Sequence, residues 1–360
     1  MKFASIANVT QLDEFDELID VRSPSEFALD HLPGAVNLPV LNDAERERVG
    51  TQYKQDSSFS AKKTGAALVA RNIAQHLETE LISRPKDWQP LVYCWRGGNL
   101  SSSLAYVLRQ IGWNAHLLDG GYKAYRRHVI ADLEQLPETL QFRIVCGPTG
   151  SGKSRILQRV AELGGQVLDL EDLAAHRGSV LGNFPDRSQP AQKLFESRIW
   201  QALRRFRPDR PIYVEAESKK IGRLRVPEAL IARMWRSPCL RIDVPMHARV
   251  DFLKRDYGHF LHDLEDLNAK LSCLNSLHGA DKISRWLLLA QAQQWDTLVE
   301  QLLIGHYDPA YGRSTLSHYP TLDRAPVIFA DCIDEQSLDV MAQNILQITT
   351  MGSATAAIAT

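Results

Sequence analysis

The chain has 360 residues, of which 44% are hydrophobic and 24% are charged, and its formal net charge is −1. This composition is typical of a globular protein and excludes a disordered or collagen-like chain. The length predicts two domains, with room for a third small one. The balanced charge excludes a global basic field, although a neutral protein with basic residues on one face can still bind nucleic acid.

Cysteine usage and hydropathy predict the cellular compartment of the protein. The chain has five cysteines, and they form neither a CxxC pair nor a zinc-ligand spacing: Cys94, Cys146, Cys239, Cys273 and Cys332. An odd, scattered set argues against a disulfide framework and for a reducing compartment. The N-terminal segment MKFASIANVTQLDEF lacks the apolar core of a signal peptide, and no stretch approaches transmembrane length. We therefore expect a cytoplasmic protein without a membrane partner.

Residues 1–135 are predicted to form an α/β domain. Apolar strands are expected at 17–22, 36–40, 91–93 and 113–118, and helices at 61–80 and 123–133. Strands that alternate with helices indicate a parallel sheet.

The segment LVYCWRGGNLSSSL, residues 91–104, reads as a strand, a tight loop and the start of a helix. Cys94 occupies the first loop position, where backbone N–H groups and the helix dipole favour the nucleophilic thiolate. Arg96 adds a positive charge two residues away. The alternative is a buried structural cysteine, which is the commonest fate of a free cysteine.

These motifs resemble the rhodanese (sulfurtransferase) family. The matching segments are IDVRSPSEF (19–27), DHLPGAVNLPV (30–40), the cysteine loop and LLDGGYKAYR (117–126). The resemblance implies that the loop cysteine carries a chalcogen atom, as a persulfide or its selenium analogue.

A second domain is predicted to begin after a junction at 136–141. An apolar strand at 142–146 precedes GPTGSGKS and an amphipathic helix, which is the GxxxxGK[ST] phosphate-binding motif in its required context. The expected phosphate ligands are Gly147, Thr149, Gly150, Ser151, Gly152, Lys153 and Ser154. Lys153 is expected to reach the outer phosphate and Ser154 to bind Mg²⁺. A degenerate loop that binds no phosphate is the alternative.

Three acidic residues are candidates for a metal-orienting carboxylate. Glu215 ends an apolar strand at 212–215, and Asp169 and Glu171 compete with it for that role. Each is equally compatible with an exposed structural carboxylate. Further strands are expected at 167–170, 239–244 and 327–330.

The C-terminal half also contains a helix-rich region at about 250–305, interpreted as a helical insertion or lid. The segment 303–314 is too polar and too often interrupted by Gly and Pro to be core, and from it His306, Asp308 and Arg313 can reach a substrate. A structural role for His306 stays open.

Basic residues cluster twice in this half. The candidate contacts to the phosphates of a nucleic acid are Arg204, Arg205, Arg207, Lys219, Lys220 and Arg223, with Arg210 and Arg225 beside them. Such runs are often only solvated faces, and that alternative stays open.

The whole chain resembles the tRNA 2-selenouridine synthase family, in which a rhodanese domain is fused to a P-loop domain. The specific matches include LPVLNDAERERVGTQYK (38–54), YCWRGG (93–98), CGPTGSGKS (146–154), VEAESKKIG (214–222) and HYDPAY (306–311). The resemblance gives the fold class: α/β, with an N-terminal rhodanese-like parallel-sheet domain (1–135) and a C-terminal P-loop NTPase-like parallel-sheet domain with the helical insertion (136–350). The tail 351–360 is expected to be disordered.

The resemblance implies a transferase acting on wobble 2-thiouridine in the tRNAs for lysine, glutamate and glutamine. The sulfur is first geranylated from geranyl diphosphate, and selenium from selenophosphate then replaces the S-geranyl group. Cys94 would form the S-selanylcysteine intermediate, with Arg96 beside it. The P-loop would hold the diphosphate, with Mg²⁺ as a possible cofactor.

One position departs from the family pattern. The family loop CxRGGxRS has an arginine where this chain has Leu100, so one guanidinium that would grip selenophosphate is missing. This puts the efficiency of the selenium step in doubt. Leu100 also excludes a Cys-x5-Arg phosphatase.

Two other functions remain as alternatives. The first is a rhodanese-fused P-loop kinase, which would turn over ATP without tRNA. The second is a non-enzymatic sulfur-relay or tRNA-binding module, for which Cys94 would be dispensable to geranylated tRNA chemistry. A monomer is the default expectation for the oligomeric state.

Overall fold

The computed structural model describes residues 5–179, 182–184, 186–258, 260 and 263–357. The chain divides into two compact units. The first contains Met1–Leu133 and Pro190–Gln201, and the second contains Glu134–Gln189 and Ala202–Thr360.

The first unit is built on a parallel sheet with the strand order β1-β5-β4-β2-β3 in its described residues. The strands are β1 Ile6–Ala7, β2 Glu17–Asp20, β3 Val36–Asn37, β4 Pro90–Tyr93 and β5 His116–Leu118. Every residue of β4 is buried, as expected for a parallel strand covered on both faces. The predicted α/β class is confirmed for this unit.

Helices cover the sheet of the first unit. They are α1 Pro24–Leu29, α2 Asp43–Gln55, α3 Ser58–Thr79, α4 Asn99–Ile111 and α5 Gly121–Thr139. Leu104 and Leu108 of α4 pack into a core with Ile19 and Val92. α4 ends at Gly112, whose φ of 116° allows its N–H to bond back to Leu108 and Arg109.

A segment from the middle of the sequence also belongs to this unit. Residues Pro190–Gln201 include most of the helix α8, Gln192–Arg205, whose last four residues belong to the second unit. The Trp200 indole donates to Asp132 Oδ2 at 2.8 Å, and the Ser197 hydroxyl donates to Asp30 Oδ1 at 2.8 Å. Buried polar contacts of this kind fix the segment in one position.

The second unit has its own parallel sheet, with the strand order β12-β11-β6-β8-β7 in its described residues. Its strands are β6 Gln141–Cys146, β7 Gln166–Val167, β8 Pro211–Glu215, β11 Cys239–Asp243 and β12 Val327–Phe329. A separate antiparallel ribbon pairs β9 Lys220–Ile221 with β10 Leu224–Arg225. β6 and β8 are neighbours, so the loops after them meet at one edge of the sheet.

The helices of the second unit include the predicted helical insertion. Besides the last four residues of α8, they are α6 Lys153–Glu162, α7 Leu170–Ala174, α9 Glu228–Trp235, α10 Met246–Asp256, α11 Leu264–Ser272, α12 Asn275–His278, α13 Ala280–Gln291, α14 Trp295–Leu302, α15 Asp308–His318 and α16 Glu335–Ala357. The insertion has a core of its own around Leu271, Trp286 and Leu302. Among the described residues, no helix is both long and apolar enough to cross a bilayer.

The structure adds local detail to three predicted segments. Residues 136–139 of the predicted junction continue α5, in which Val129, Leu133 and Pro137 are buried. The segment 303–314 forms a π-helical turn, Leu303–Tyr307, and the first part of α15; Leu303 is buried, whereas residues 304–313 are half-buried or exposed, in agreement with a segment too polar to be core.

The third segment is the tail at 351–360. The backbone of α16 continues to Ala357, in agreement with the high helix propensity of the alanines there. Residues 358–360 lie outside the described residues.

Candidate active sites

Cys94 follows β4 and lies at the N-terminal end of α4. Its sulfur accepts hydrogen bonds from the backbone N–H of Gly98 and from the hydroxyl of Ser101, both at 3.2 Å. Cys94 is 4% exposed, whereas Arg96 is exposed. Two donors directed at one sulfur stabilise a negatively charged form of it.

The cysteine loop is held in place by the N-terminus of α5. The N–H groups of Tyr122 and Lys123 donate to the carbonyls of Cys94 and Trp95 at 2.9 and 3.0 Å. Gly121 has a φ of 57°, and a Cβ on it would overlap the Cys94 carbonyl oxygen. The GGYK segment therefore allows the close approach that shapes the loop.

An aromatic column that the sequence did not suggest lies beside the cysteine. The Trp95 ring is 39% exposed and packs against Tyr122 with ring centroids 5.1 Å apart. On Tyr122 lies the guanidinium of Arg22, 4.0 Å from the ring centroid, and Arg22 is itself paired with buried Asp20. Leu100 is half-buried against the core of this unit.

The P-loop, Gly147–Ser154, joins β6 to α6. Gly150 has a φ of 81°, and a Cβ there would lie 2.8 Å from Leu253 Cδ1 of α10, so only glycine fits. Lys153 and Ser154 are the first two residues of α6. The glycine-containing loop thus closes onto a helix N-terminus, with Lys153 Nζ 3.9 Å from Glu215 Oε2, which is the arrangement of a phosphate-binding loop.

Three glutamates lie around the Ser154 hydroxyl. It donates to Glu215 Oε1 at 2.5 Å and lies 3.4 Å from Glu171 Oε2. Oxygen atoms of Glu171, Glu215 and Glu217 all lie within 4.8 Å of one another. Asp169 instead caps α7 by accepting from the N–H of Asp172 at 2.8 Å.

The electrostatics of this cluster favour a bound cation. Burial, together with the charge of Glu215, raises the pKa of Glu217 to about 8 and that of Glu171 well above its usual range. Burial also raises the pKa of Asp169 to about 6. Crowded carboxylates with a hydroxyl offer only oxygen donors, which suit a hard divalent ion such as Mg²⁺. The residues present therefore fit the predicted metal.

Residues that flank the helical insertion on both sides contact the P-loop or one another. The N–H of Gly147 donates to the Tyr311 hydroxyl at 2.6 Å. Arg249 pairs with Asp308, with contacts of 2.5 and 3.1 Å, and donates to the Thr149 carbonyl at 2.8 Å. These contacts fix the HYDPAY segment beside a cleft of about 850 Å³, which His306 also lines.

Sequence reasoning missed Glu217, Tyr311 and Arg249. A usable signal existed for Glu217, since a residue two positions after Glu215 projects to the same side of an extended chain. For Tyr311 and Arg249 no local pattern existed, because their partners are 164 and 59 residues away.

The two basic clusters lie on the second unit. Arg205, Arg207, Lys219, Lys220 and Arg223 are exposed, and Arg204 is half-buried at the end of α8. Several are partly neutralised: Arg207 pairs with Asp209 at 2.7 Å and Lys219 with Glu228 at 3.2 Å. Lys220 lies on the β9–β10 ribbon.

Family models of known proteins match both units of the chain. A family model of the tRNA 2-selenouridine synthase AAA domain matches residues 140–321, and a model of the rhodanese-like domain matches residues 6–128. The resemblances drawn from the sequence motifs are thereby confirmed.

Relatives that match two thirds or more of this chain carry the same name as the first family model. The tRNA 2-selenouridine synthase of Nitrosomonas europaea is 38% identical over 67% of this chain and 63% of that protein. That of Marinobacter nauticus is 37% identical over 82% of this chain and 87% of that protein. That of Bdellovibrio bacteriovorus is 38% identical over 92% of this chain and 86% of that protein.

Proposed function

Because the chain belongs to the tRNA 2-selenouridine synthase family, we propose that it makes 2-selenouridine in tRNA by two reactions at two sites. The P-loop unit geranylates the sulfur of wobble 2-thiouridine in the tRNAs for lysine, glutamate and glutamine. The rhodanese unit then supplies the selenium that replaces the S-geranyl group. The observation that carries the proposal is the presence, in one chain, of a sulfur nucleophile between two donors and a separate phosphate loop.

In the first reaction the thiouridine sulfur attacks C1 of geranyl diphosphate. A C–S bond forms, the C1–O bond breaks, diphosphate leaves, and the nucleobase loses its N3 proton. The departing diphosphate gains negative charge, which the N–H groups of the P-loop and Lys153 are positioned to stabilise. Ser154, Glu215, Glu171 and Glu217 would hold Mg²⁺, which neutralises phosphate oxygens when it is bound.

In the second reaction selenium adds to C2 of the nucleobase, the C2–S bond breaks, and geranylthiol leaves. Cys94 holds this selenium beforehand as S-selanylcysteine: its thiolate attacks the selenium of selenophosphate, the Se–P bond breaks, and phosphite leaves with the bonding electron pair. After the selenium has bonded to C2, two equivalents of a small thiol cleave the remaining Se–S bond, release Cys94 and leave as a disulfide. The donors from Gly98 and Ser101 stabilise negative charge at its sulfur, and exposed Arg96 attracts the selenophosphate anion. Support for Cys94 comes from its place in the loop and from the rhodanese-like match.

The tRNA backbone binds the basic clusters around Arg204–Arg210 and Lys219–Arg225, whose exposure suits phosphate contact. The five free cysteines agree with work in the cytoplasm.

The test is mass spectrometry of nucleosides from 2-thiouridine tRNA incubated with the protein, geranyl diphosphate and Mg²⁺, followed by selenophosphate. A geranyl adduct that converts to 2-selenouridine supports both reactions and their order. An adduct that persists points to a defective selenium step at the loop containing Leu100. The absence of any adduct, with steady ATP turnover in the absence of tRNA, would favour the kinase instead.

A further inference from the structure

An apolar pocket opens beside the P-loop within the second unit. Its wall is formed mainly by the hydrocarbon side chains of Leu253, Phe260, Leu267, Leu298, Leu302 and Leu303. Five of these six residues are buried, with exposures between 0 and 6%. The free volume of the pocket is about 80 Å³.

The pocket adjoins the phosphate cleft. Thr149 of the P-loop, Leu253, Tyr257 and Tyr307 line both. Leu253 also touches the position that a Cβ on Gly150 would occupy, and Arg249 ties the same helix to the Thr149 carbonyl at 2.8 Å. A ligand that reaches from one to the other therefore has an anionic end and an apolar end.

The described residues of the wall offer little that could recognise a polar group. The ammonium of Lys254 is engaged by Asp296 and, at 3.2 Å, by Asp251, so it is already neutralised. The hydroxyl groups of Tyr257 and Tyr307 interact with Ser179. A purine base needs hydrogen-bond partners for its ring nitrogens, whereas a hydrocarbon chain needs only apolar contact.

We propose that this pocket binds the distal end of an isoprenoid chain whose diphosphate lies in the P-loop, and that Trp295 and Val299 limit the chain length. The inference rests on the proposed geranyl transfer and deepens it. Because the pocket is small, the proximal part of a ten-carbon chain lies in the adjoining cleft. Trp295 and Val299 are half-buried wall residues of α14, so changing them alters the size of the pocket.

The test compares binding of geranyl diphosphate with binding of inorganic diphosphate in the full chain. Val299→Phe fills the pocket and is expected to weaken geranyl diphosphate binding by about tenfold or more, as the removal of room for a methylene does. Its affinity for inorganic diphosphate should stay unchanged. Thr297→Phe adds the same bulk at an exposed position of α14 and should change neither affinity.

Trp295→Ala opens the pocket and is tested by kcat/KM for tRNA prenylation with dimethylallyl, geranyl and farnesyl diphosphate. The ratio for farnesyl over geranyl diphosphate is expected to rise by about tenfold or more. If Val299→Phe fails to fold, it will not bind inorganic diphosphate. In that case the chain-length profile of Trp295→Ala tests the proposed isoprenoid pocket by itself.

The inference and the proposed function fail in different ways. If the wild type transfers geranyl but Val299→Phe keeps its affinity and Trp295→Ala keeps its chain-length profile, the pocket is not the isoprenoid site. If the wild type transfers no prenyl group, the proposed function is wrong. In that case, geranyl diphosphate binding no tighter than inorganic diphosphate binding overturns the inference as well.

Discussion

The hydroxyl of Ser154 donates a hydrogen bond of 2.5 Å to Oε1 of Glu215, which joins the start of α6 to the end of β8. The same hydroxyl lies 3.4 Å from Glu171, so three elements converge on one oxygen. A cation held here adjoins the loop that would carry the diphosphate. Its binding should therefore govern both the stability of the P-loop unit and its chemistry.

Glu217 should make stability depend on pH when Mg²⁺ is absent. Burial raises its pKa from 4.5 to about 8, so between these values the folded protein keeps a proton that the unfolded chain has released. The free energy of unfolding therefore falls as pH rises through this interval, and the stabilisation is fully present only below it. Adding Mg²⁺ at pH 8 should raise Tm by offsetting the carboxylate repulsion.

The matched variant is Glu217→Gln, measured by thermal unfolding between pH 5 and 8 with and without Mg²⁺. It should flatten the fall in Tm and reduce the gain from Mg²⁺, by roughly 2–4 °C for each kcal/mol of repulsion removed. Glu300→Gln, at an exposed position of α14, should behave like the wild type. A Glu217→Gln variant with an unaltered pH profile would remove this residue from the site.

Lys153→Ala should stop geranylation while leaving the cysteine loop intact. Removing a cation that stabilises the leaving diphosphate is expected to cost about 100-fold or more in rate. Alkylation of Cys94 by a thiol probe, followed by mass spectrometry, should proceed at the wild-type rate. Geranylation at the wild-type rate would show that the P-loop does not bind the donor.

Trp95 is expected to stack on the nucleobase presented to Cys94, because its half-exposed ring is fixed by Tyr122 beside the sulfur. Aromatic stacking on a single-stranded base contributes about 1–3 kcal/mol. Trp95→Ala should raise KM for geranylated tRNA in the selenium step, and Trp95→Phe should restore part of the affinity. Tyr106→Ala, which changes an exposed aromatic residue of α4, is the control. An equal effect of both alanine variants would contradict stacking.

The basic clusters should make tRNA binding depend on salt. Substituting Lys220 and Arg223 by alanine should weaken binding, and it should lower the slope of log K against log[salt] by about 0.7–0.9 for each phosphate that is no longer neutralised. Lys86→Ala, which changes an exposed lysine of the first unit, serves as the comparison. If the affinity and the slope are unchanged, these clusters are ordinary solvated surface and do not contact tRNA.

Sequence patterns predicted the structural elements that are specified by residues adjacent in the sequence. The cysteine loop and the P-loop are each specified by a buried strand, a short glycine-containing loop and an amphipathic helix, so their positions follow from a few adjacent residues. The two parallel sheets follow from the alternation of strands and helices.

The features that could not be predicted depend on contacts between residues that are far apart in the sequence. Nothing near Trp200 signals that its indole bonds to Asp132, and so the assignment of Pro190–Gln201 to the first unit was not predictable. The pairing of Asp308 with Arg249, which is far away in sequence, likewise has no local signal.

The central claim is that one chain divides two reactions between two sites, and Cys94→Ser tests it most directly. The measurement is the nucleoside composition, by mass spectrometry, of 2-thiouridine tRNA incubated with this variant, geranyl diphosphate, Mg²⁺ and selenophosphate. The account predicts that S-geranyl-2-thiouridine accumulates and that 2-selenouridine is absent. Formation of 2-selenouridine, or the absence of both products, would contradict it.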